Sequence, residues 1–283
     1  MADASAPASS ANLGAGFDTL ALAIELRCRV AAAPSNAWRI DHIGEHHPAT
    51  GFRDAVLTAA RLAVGAEHPM YLTVDSDIPV GRGLGSSAAA YAAGALAAWR
   101  TTGVEPAPDR LFRFVADLEG HSDNAAAAIF GGLQTVEVGG GHHRLSLHPD
   151  LQPVLAVPEA MLLTSDARTA LPVSFSRDVV VRSVQRAVAL VEGLRTGESA
   201  LLAAAGGDEI HEGPRSKLNP IAAHLIEAAL NAGAGFACWS GAGPSVLAMA
   251  TAARRGEVAA AVELVLGSRG VVLTPEIATA GIE

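Results

Sequence analysis

The run Pro79-Val80-Gly81-Arg82-Gly83-Leu84-Gly85-Ser86-Ser87-Ala88 carries the strongest chemical signal in the chain. Its glycines let the backbone curl tightly and approach an anion with no Cβ in the way. An Ala-rich helical pattern opens at Ser86, and a helix start offers unpaired N–H groups at the positive end of its dipole. The two serines can cap that helix, and one hydroxyl can face a metal ion. These features suit a bound phosphate; a Gly/Ser turn capping a helix is the simpler alternative. A second cluster lies in Ala6-Pro7-Ala8-Ser9-Ser10-Ala11-Asn12-Leu13-Gly14-Ala15-Gly16-Phe17-Asp18. There a short amide, Asn12, and a carboxylate, Asp18, sit on Gly-rich backbone, where they can hold an amine and a hydroxyl at close range. Service in turns is the alternative for both.

A phosphate loop needs a strand before it and a helix behind it. Residues 70–74 read as that strand, ending in Asp75-Ser76-Asp77, and residues 86–101 as the helix. Further helices are expected over 54–64, 109–118 (just after Pro108) and 124–130. Residues 19–30 fit a strand or a short helix equally well. Gly139-Gly140-Gly141 reads as a hairpin turn between 133–138 and 144–147. In the second half, 154–157 and 161–163 look like strands. Residues 178–194 look like an amphipathic helix with Val181, Val184, Ala187, Leu190 and Val191 on its apolar face. Helices over 198–205, 221–232 and 256–266 and strands over 235–239, 246–249 and 270–273 complete the pattern. Ser240-Gly241-Ala242-Gly243-Pro244-Ser245-Val246 is a Gly-rich turn between two of those strands. The mixed order points to α+β layers, with a soft domain boundary near residue 150.

Composition narrows the partners. The chain has 283 residues, 50% hydrophobic and 17% charged, enough to bury a sizeable core. A net charge of −9 argues against general nucleic-acid binding. Lys217 is the one lysine and is followed by Leu218, so no Walker A Gly-Lys-Ser/Thr exists. A phosphate-bearing ligand must then be held by main-chain N–H groups, a metal and placed Arg residues. Cys28 and Cys238 provide no disulfide framework. The Ala- and Gly-rich run 83–99 is too weakly apolar to insert into a membrane, and no secretory signal is evident. A cytoplasmic protein is expected. His42, His46, His47, His142 and His143 have polar neighbours and read as exposed loop residues rather than metal ligands.

The Pro-x3-Gly-Leu-Gly-Ser-Ser-Ala pattern resembles the phosphate loop of the GHMP kinases, which bind ATP without a Walker A lysine. Within that superfamily the segment from Ala6 to Asp18 is similar to the opening motif of the homoserine kinases. So is Glu119-Gly120-His121-Ser122-Asp123-Asn124, with Ser122 where the family has Pro. Thr164-Ser165-Asp166-Ala167-Arg168-Thr169-Ala170-Leu171-Pro172 resembles a further family motif. Asp208-Glu209-Ile210-His211-Glu212-Gly213-Pro214-Arg215 resembles another, although Gly213-Pro214 departs from its Pro-Tyr. Asp54-Ala55-Val56 stands where the family has Asn-Leu-Val near the nucleotide base.

The resemblance implies a two-domain fold, with a ribosomal protein S5 domain 2-like part over 1–150 and a ferredoxin-like part over 151–283. It implies phosphorylation of the L-homoserine hydroxyl by ATP with Mg²⁺, a step of threonine biosynthesis. Pro79, Gly81, Arg82, Gly83, Leu84, Gly85, Ser86, Ser87 and Ala88 would hold ATP, and Ser87 and Glu119 the metal. Arg168 and Arg215 would clamp the substrate carboxylate. Asn12, Asp18, His121 and Asn124 would orient its amine and hydroxyl, with Asp123 and Thr164 beside them. No residue is compelled to act as a strong base, and Asp123 is the nearest candidate. A homodimer is also expected. The alternatives are a GHMP kinase acting on mevalonate, a sugar or pantoate, and a ligand-sensing relative without catalysis. The N-terminal strand of the family looks clipped at residues 2–5, so a frayed edge is expected there.

Overall fold

Two long strands, β1 (Ala2–Ala11) and β2 (Leu20–Pro34), open the computed structural model, which describes residues 1–49 and 53–283. They pair antiparallel from Ala2↔Ala32 to Ala11↔Ala21. The frayed N-terminal edge does not occur. Ser5 exchanges both backbone hydrogen bonds with Glu283, so the C-terminal residues give the strand's polar groups partners. The pairing also settles 19–30, which is strand from Leu20 onward.

The chain continues with β3 (Arg39–His42), α1 (Ala55–Val64), β4 (Met70–Ser76), α2 (Ser86–Thr101), α3 (Pro108–Glu119) and α4 (Asp123–Phe130). The hairpin β5 (Leu133–Val136) and β6 (His142–Leu145) closes this half. One six-stranded sheet results, in the order β3-β4-β2-β5-β6, with β1 also paired to β2. Helix α2 runs through the core of this half. Its face of Ala88, Ala89, Ala92, Ala93 and Ala95 is fully buried, and a Cβ at Gly94 would meet the Val56 carbonyl oxygen of α1 at 2.7 Å. Small side chains thus permit close helix packing while keeping high helix propensity.

The second half comprises β7 (Leu151–Pro158), α5 (Thr164–Thr169), α6 (Arg177–Thr196), α7 (Ser199–Ala204), α8 (Glu212–Arg215) and α9 (Ile221–Asn231). It ends with β8 (Phe236–Trp239), β9 (Val246–Thr251), α10 (Arg255–Leu266) and β10 (Gly270–Leu273). Its four strands lie antiparallel in the order β10-β7-β9-β8. Both faces of this sheet are covered, and the strand period shows how. Val154, Ala156, Val246 and Ala248 pack with Leu225 of α9 and Val262 of α10. The alternate residues Leu155, Val157, Leu247 and Met249 join the core of the first half. The two halves therefore share apolar packing.

Three expectations need correction. Residues 161–163 form no strand; the segment crosses the glycine loop, where Leu162 N–H donates to the Gly81 carbonyl at 3.2 Å. The apolar face expected on α6 is not buried as a unit: Val181 and Val184 are 48% and 59% exposed, while Leu190, Gly193 and Leu194 are buried. Only the end of the helix packs on α7, with Gly193 close against Leu202. His42, His142 and His143 lie in strands rather than loops. His42 Nε2 meets the Asp54 carboxylate at 2.7 Å, and His142 stacks on Phe130 with ring centroids 3.5 Å apart.

Candidate active site

The glycine loop joins β4 to α2, and Gly81, Gly83 and Gly85 all have positive φ. Gly83 shows why no side chain is tolerated: a Cβ there would collide with the Ser240 carbonyl oxygen and lie 2.7 Å from that of Gly243. Helix α2 starts at this loop with Gly85 as its N-cap. It has no side-chain cap and no acidic residue in its first turn. The two serines therefore do not cap it. Side-chain caps occur at α1, by Asp54, and at α6, by Ser176, whereas most helices here, like α2, have none. An uncapped start facing a cavity leaves first-turn N–H groups for an anion.

That cavity, of about 200 Å³, is lined by Gly81, Gly83, Leu84, Gly85, Ser86 and Ser87 on one side. Across it stand Asn12, Asp18, Glu119, His121, Asp123, Asn124, Thr164, Arg168 and Arg215. Every residue expected at the acceptor or the metal thus reaches one cavity. Pro79, Arg82 and Ala88 do not line it. Pro79 and Ala88 are buried, and Arg82 donates back to the Val80 carbonyl at 3.1 Å and lines a neighbouring cavity with Glu159.

At the junction of α3 and α4, Glu119 and His121 cluster with Asp123. His121 Nδ1–H donates to Asp123 Oδ1 at 2.9 Å, and its Nε2 lies 3.5 Å from Glu119 Oε2. Burial opposes a charge on His121, but the Asp123 hydrogen bond and the two carboxylate charges outweigh it and raise its pKa. Burial raises the Glu119 pKa, against the pull of the Ser87 hydroxyl and His121. Asp123 Oδ1 also accepts from the Asn124 backbone N–H at 2.8 Å. Asp123 is 2% exposed and lines the cavity, and both of these hydrogen bonds fall on its Oδ1.

The far side of the cavity is built from distant segments. Arg168, on α5, makes a two-pronged ion pair with Asp18, at 3.0 and 2.7 Å. Arg215 is 1% exposed. Its Nε donates to the Ala167 carbonyl at 3.0 Å, and one terminal nitrogen donates to His211 Nδ1 at 3.1 Å. His211 Nε2–H donates to the Gly14 carbonyl at 2.9 Å, which fixes the neutral tautomer. Burial keeps the His211 pKa well below its ordinary value. Burial, with the Arg168 charge, also lowers the Arg215 pKa to about 10. Both guanidiniums lie over the Phe17 ring, at 5.8 and 5.5 Å, and that ring stacks on His211.

Asn12 and the C-terminal Gly-rich loop lock the two ends together. The Asn12 amide donates to the Gly241 carbonyl at 2.8 Å and accepts from the Asp18 N–H at 3.0 Å. Ser240 Oγ donates to the Gly83 carbonyl at 2.8 Å. Asn12, Leu13 and Asp18 all have positive φ, a conformation that Asn and Asp accept better than most residues. Ser9 Oγ donates to Asn124 Oδ1 at 2.8 Å. Phe17, His211 and Ser9 were not singled out from the sequence, although each lies inside a motif quoted there. What hid them is that each acts on a residue far away in the chain.

A second cavity of about 190 Å³ shares Val80, Gly81, Ser86, Ser87 and Leu163 with the first. Val56, Val74, Ala90, Tyr91 and Met161 form its apolar walls, and Asp54 and His42 lie at its side. Asp54 is occupied there, with one oxygen on the Leu57 N–H at 2.9 Å and the other on His42.

Main chain at a helix start and charged-type side chains face each other across one cavity, an arrangement that suits a small-molecule kinase. Comparison with known proteins gives the family. The profile of the GHMP kinases N terminal domain matches residues 52–132, and that of the GHMP kinases C terminal matches 190–266. The chain belongs to the GHMP kinase family, ATP-dependent kinases of small molecules. It is 34% identical over 268 residues to the homoserine kinase of Synechocystis sp., covering 90% of this chain and 88% of that one. It is 38% identical to that of Gloeobacter violaceus, covering 86% and 85%. The crystal structure of homoserine kinase from Cytophaga hutchinsonii superposes with a TM-score of 0.87 at 26% identity, covering 100% of this chain and 96% of that one. L. major mevalonate kinase, 14% identical with a TM-score of 0.78, shares the fold and covers 98% of this chain and 96% of its own. Among the described residues no helix is long and apolar enough to cross a membrane.

Proposed function

We propose that this chain phosphorylates the side-chain hydroxyl of L-homoserine with ATP. One observation supports this reading most: Arg168, Arg215 and Asp18 converge in the cavity that the uncapped start of α2 enters. A zwitterionic amino acid needs opposite charges at one end of its pocket, and a phosphoryl donor needs N–H groups at the other. Arg168 and Arg215 take the carboxylate, and Asp18 takes the amine, with Asn12 and Asn124 setting the loops around them. Thr164, at the start of α5, borders the acceptor. Gly83 to Ser87 hold the phosphates by main-chain N–H groups. The apolar second cavity receives the base.

Ser87 and Glu119 would hold Mg²⁺. The donor chemistry fits: one carboxylate and one hydroxyl leave the remaining positions to phosphate oxygens and water. Glu119 fits for a second reason, since its carboxylate is buried enough for its pKa to be raised, and a cation would stabilise its charged form. The metal would neutralise charge on the transferring phosphoryl group. The chain's own part is alignment of the acceptor hydroxyl with the phosphoryl group.

The reading extends to a cytoplasmic homodimer and to a division of the chain near residue 150. The exposed valines of α6 offer an apolar surface to a second copy. A monomeric mass in solution would remove the dimer. The activity itself is tested by ADP release from ATP with L-homoserine, mevalonate, pantoate and a sugar as acceptors. Turnover is expected with L-homoserine, and a rate no higher than without acceptor would refute the assignment.

A further inference from the structure

Asp18 and Arg168 do more than line the acceptor pocket; they are bonded to each other across it. Asp18 stands on the β1–β2 connection and Arg168 on α5, with 150 residues between them. Both Asp18 oxygens and both terminal nitrogens of Arg168 are used in the pair. The side chains are 37% and 38% exposed, so water reaches both. Arg215 lines the same cavity but cannot swing into Arg168's place against Asp18, because Ala167 and His211 anchor its Nε and one terminal nitrogen.

We propose that the Asp18–Arg168 pair is a latch that admits a ligand carrying both charges and disfavours a ligand carrying one. This inference rests on the homoserine reading. A carboxylate seated on both arginines takes Arg168 away from Asp18, which strands the Asp18 carboxylate. An entering ammonium must take Asp18 away from Arg168, which strands a guanidinium. A zwitterion repays both losses, since its ammonium meets Asp18 as its carboxylate meets Arg168. The latch is cheap to open for the right ligand, because a half-exposed ion pair is worth little net free energy. Selectivity arises from the charge left without a partner.

Three probes separate the charges: L-homoserine, 4-hydroxybutanoate (no amine) and 3-aminopropan-1-ol (no carboxylate). Binding of each to the full chain is measured by calorimetry, with and without a non-hydrolysable ATP analogue. The Asp18→Asn variant keeps a residue type that accepts the positive φ of this position. In that variant L-homoserine is expected to bind about tenfold more weakly, having lost a charge-assisted partner. The carboxylate-only probe is expected to bind about fivefold more tightly, because Arg168 is no longer held. Arg168→Gln is the mirror test, in which the amine-only probe gains and 4-hydroxybutanoate loses. A purely structural role for the pair would weaken all probes alike in both variants. If the wild-type chain binds L-homoserine but neither variant shows a gain for its single-charge probe, the latch is wrong and the homoserine reading stands. If the wild-type chain does not bind L-homoserine, both fall.

Discussion

On one side of the central cavity the chain presents main chain, and on the other it presents ionised side chains. The phosphate end consists of Gly81 to Ser87 and the uncapped start of α2, fixed by contacts too close for any Cβ. The acceptor end consists of Asp18, Arg168 and Arg215, brought from three distant segments and placed over Phe17. The first end depends on shape and the second on charge. Changes in backbone geometry should therefore damage the phosphate end and the fold together, whereas changes in charge should alter acceptor binding with less effect on the fold.

The sharpest way to break this comparison is a methyl group. Gly83→Ala places its Cβ against the Ser240 and Gly243 carbonyl oxygens at a φ of +74°. We expect a loss above about 3 kcal/mol in denaturant unfolding, from overpacking added to backbone strain. Gly103→Ala is the control: its φ is +81° but nothing lies within 4 Å. There the cost should be only about 1 kcal/mol. Equal losses at the two sites would show that the interlocked loops are not under close contact.

Next in size is Glu119→Gln. Turnover should fall at least about a hundredfold, the effect of losing several kcal/mol of charge stabilisation. The melting temperature should hold or rise, because a buried carboxylate becomes a neutral amide. A large fall in melting temperature would make Glu119 a structural residue.

Glu212 links the acceptor end to the fold. Burial raises its pKa from 4.5 to about 8, partly countered by the Trp239 N–H it accepts at 2.7 Å. A carboxyl whose folded pKa is raised contributes stability that is fully present below the unfolded pKa and lost as pH rises through the folded one. Wild-type stability should therefore fall relative to Glu212→Gln by about 2 kcal/mol between pH 6 and pH 8. His211 opposes this trend only as pH falls below its ordinary range, and it is present in both proteins. Parallel stability curves would mean that Glu212 is ionised throughout.

The smallest expected effect is at Phe17. Phe17→Leu removes the ring under both arginines and should raise the acceptor KM about threefold to fivefold through lost cation–π contact, with the ATP KM unchanged. An equal change in both would blur the division between the two ends.

The two ends also differ in how they can be read from the residues. The glycine loop and the full extent of α2 are legible because their determinants are local: a strand, a Gly/Ser turn and an Ala-rich run in sequence. The ligand-facing acceptor residues are legible only through family motifs, since no local rule brings residues 18, 168 and 215 together. The His211–Arg215 hydrogen bond, the Phe17 platform and the Ser9–Asn124 contact were missed because each depends on a partner's exact position in space. The error at 161–163 has the same source. That short apolar run fits a strand, but its backbone bonds to Gly81 rather than to a neighbouring strand. Val181 and Val184 of α6 have helical spacing, yet periodicity does not say which layer, if any, will cover them.

The central claim is that one cavity holds a triphosphate by main chain and a zwitterion by paired charges. A crystal structure with L-homoserine and a non-hydrolysable ATP analogue tests it most directly. The account predicts phosphate oxygens within hydrogen-bond distance of the N–H groups of residues 83–87, and the homoserine carboxylate on Arg168 and Arg215 with its amine on Asp18. Phosphates bound away from that loop, or a carboxylate that leaves the Asp18–Arg168 pair intact, would contradict it.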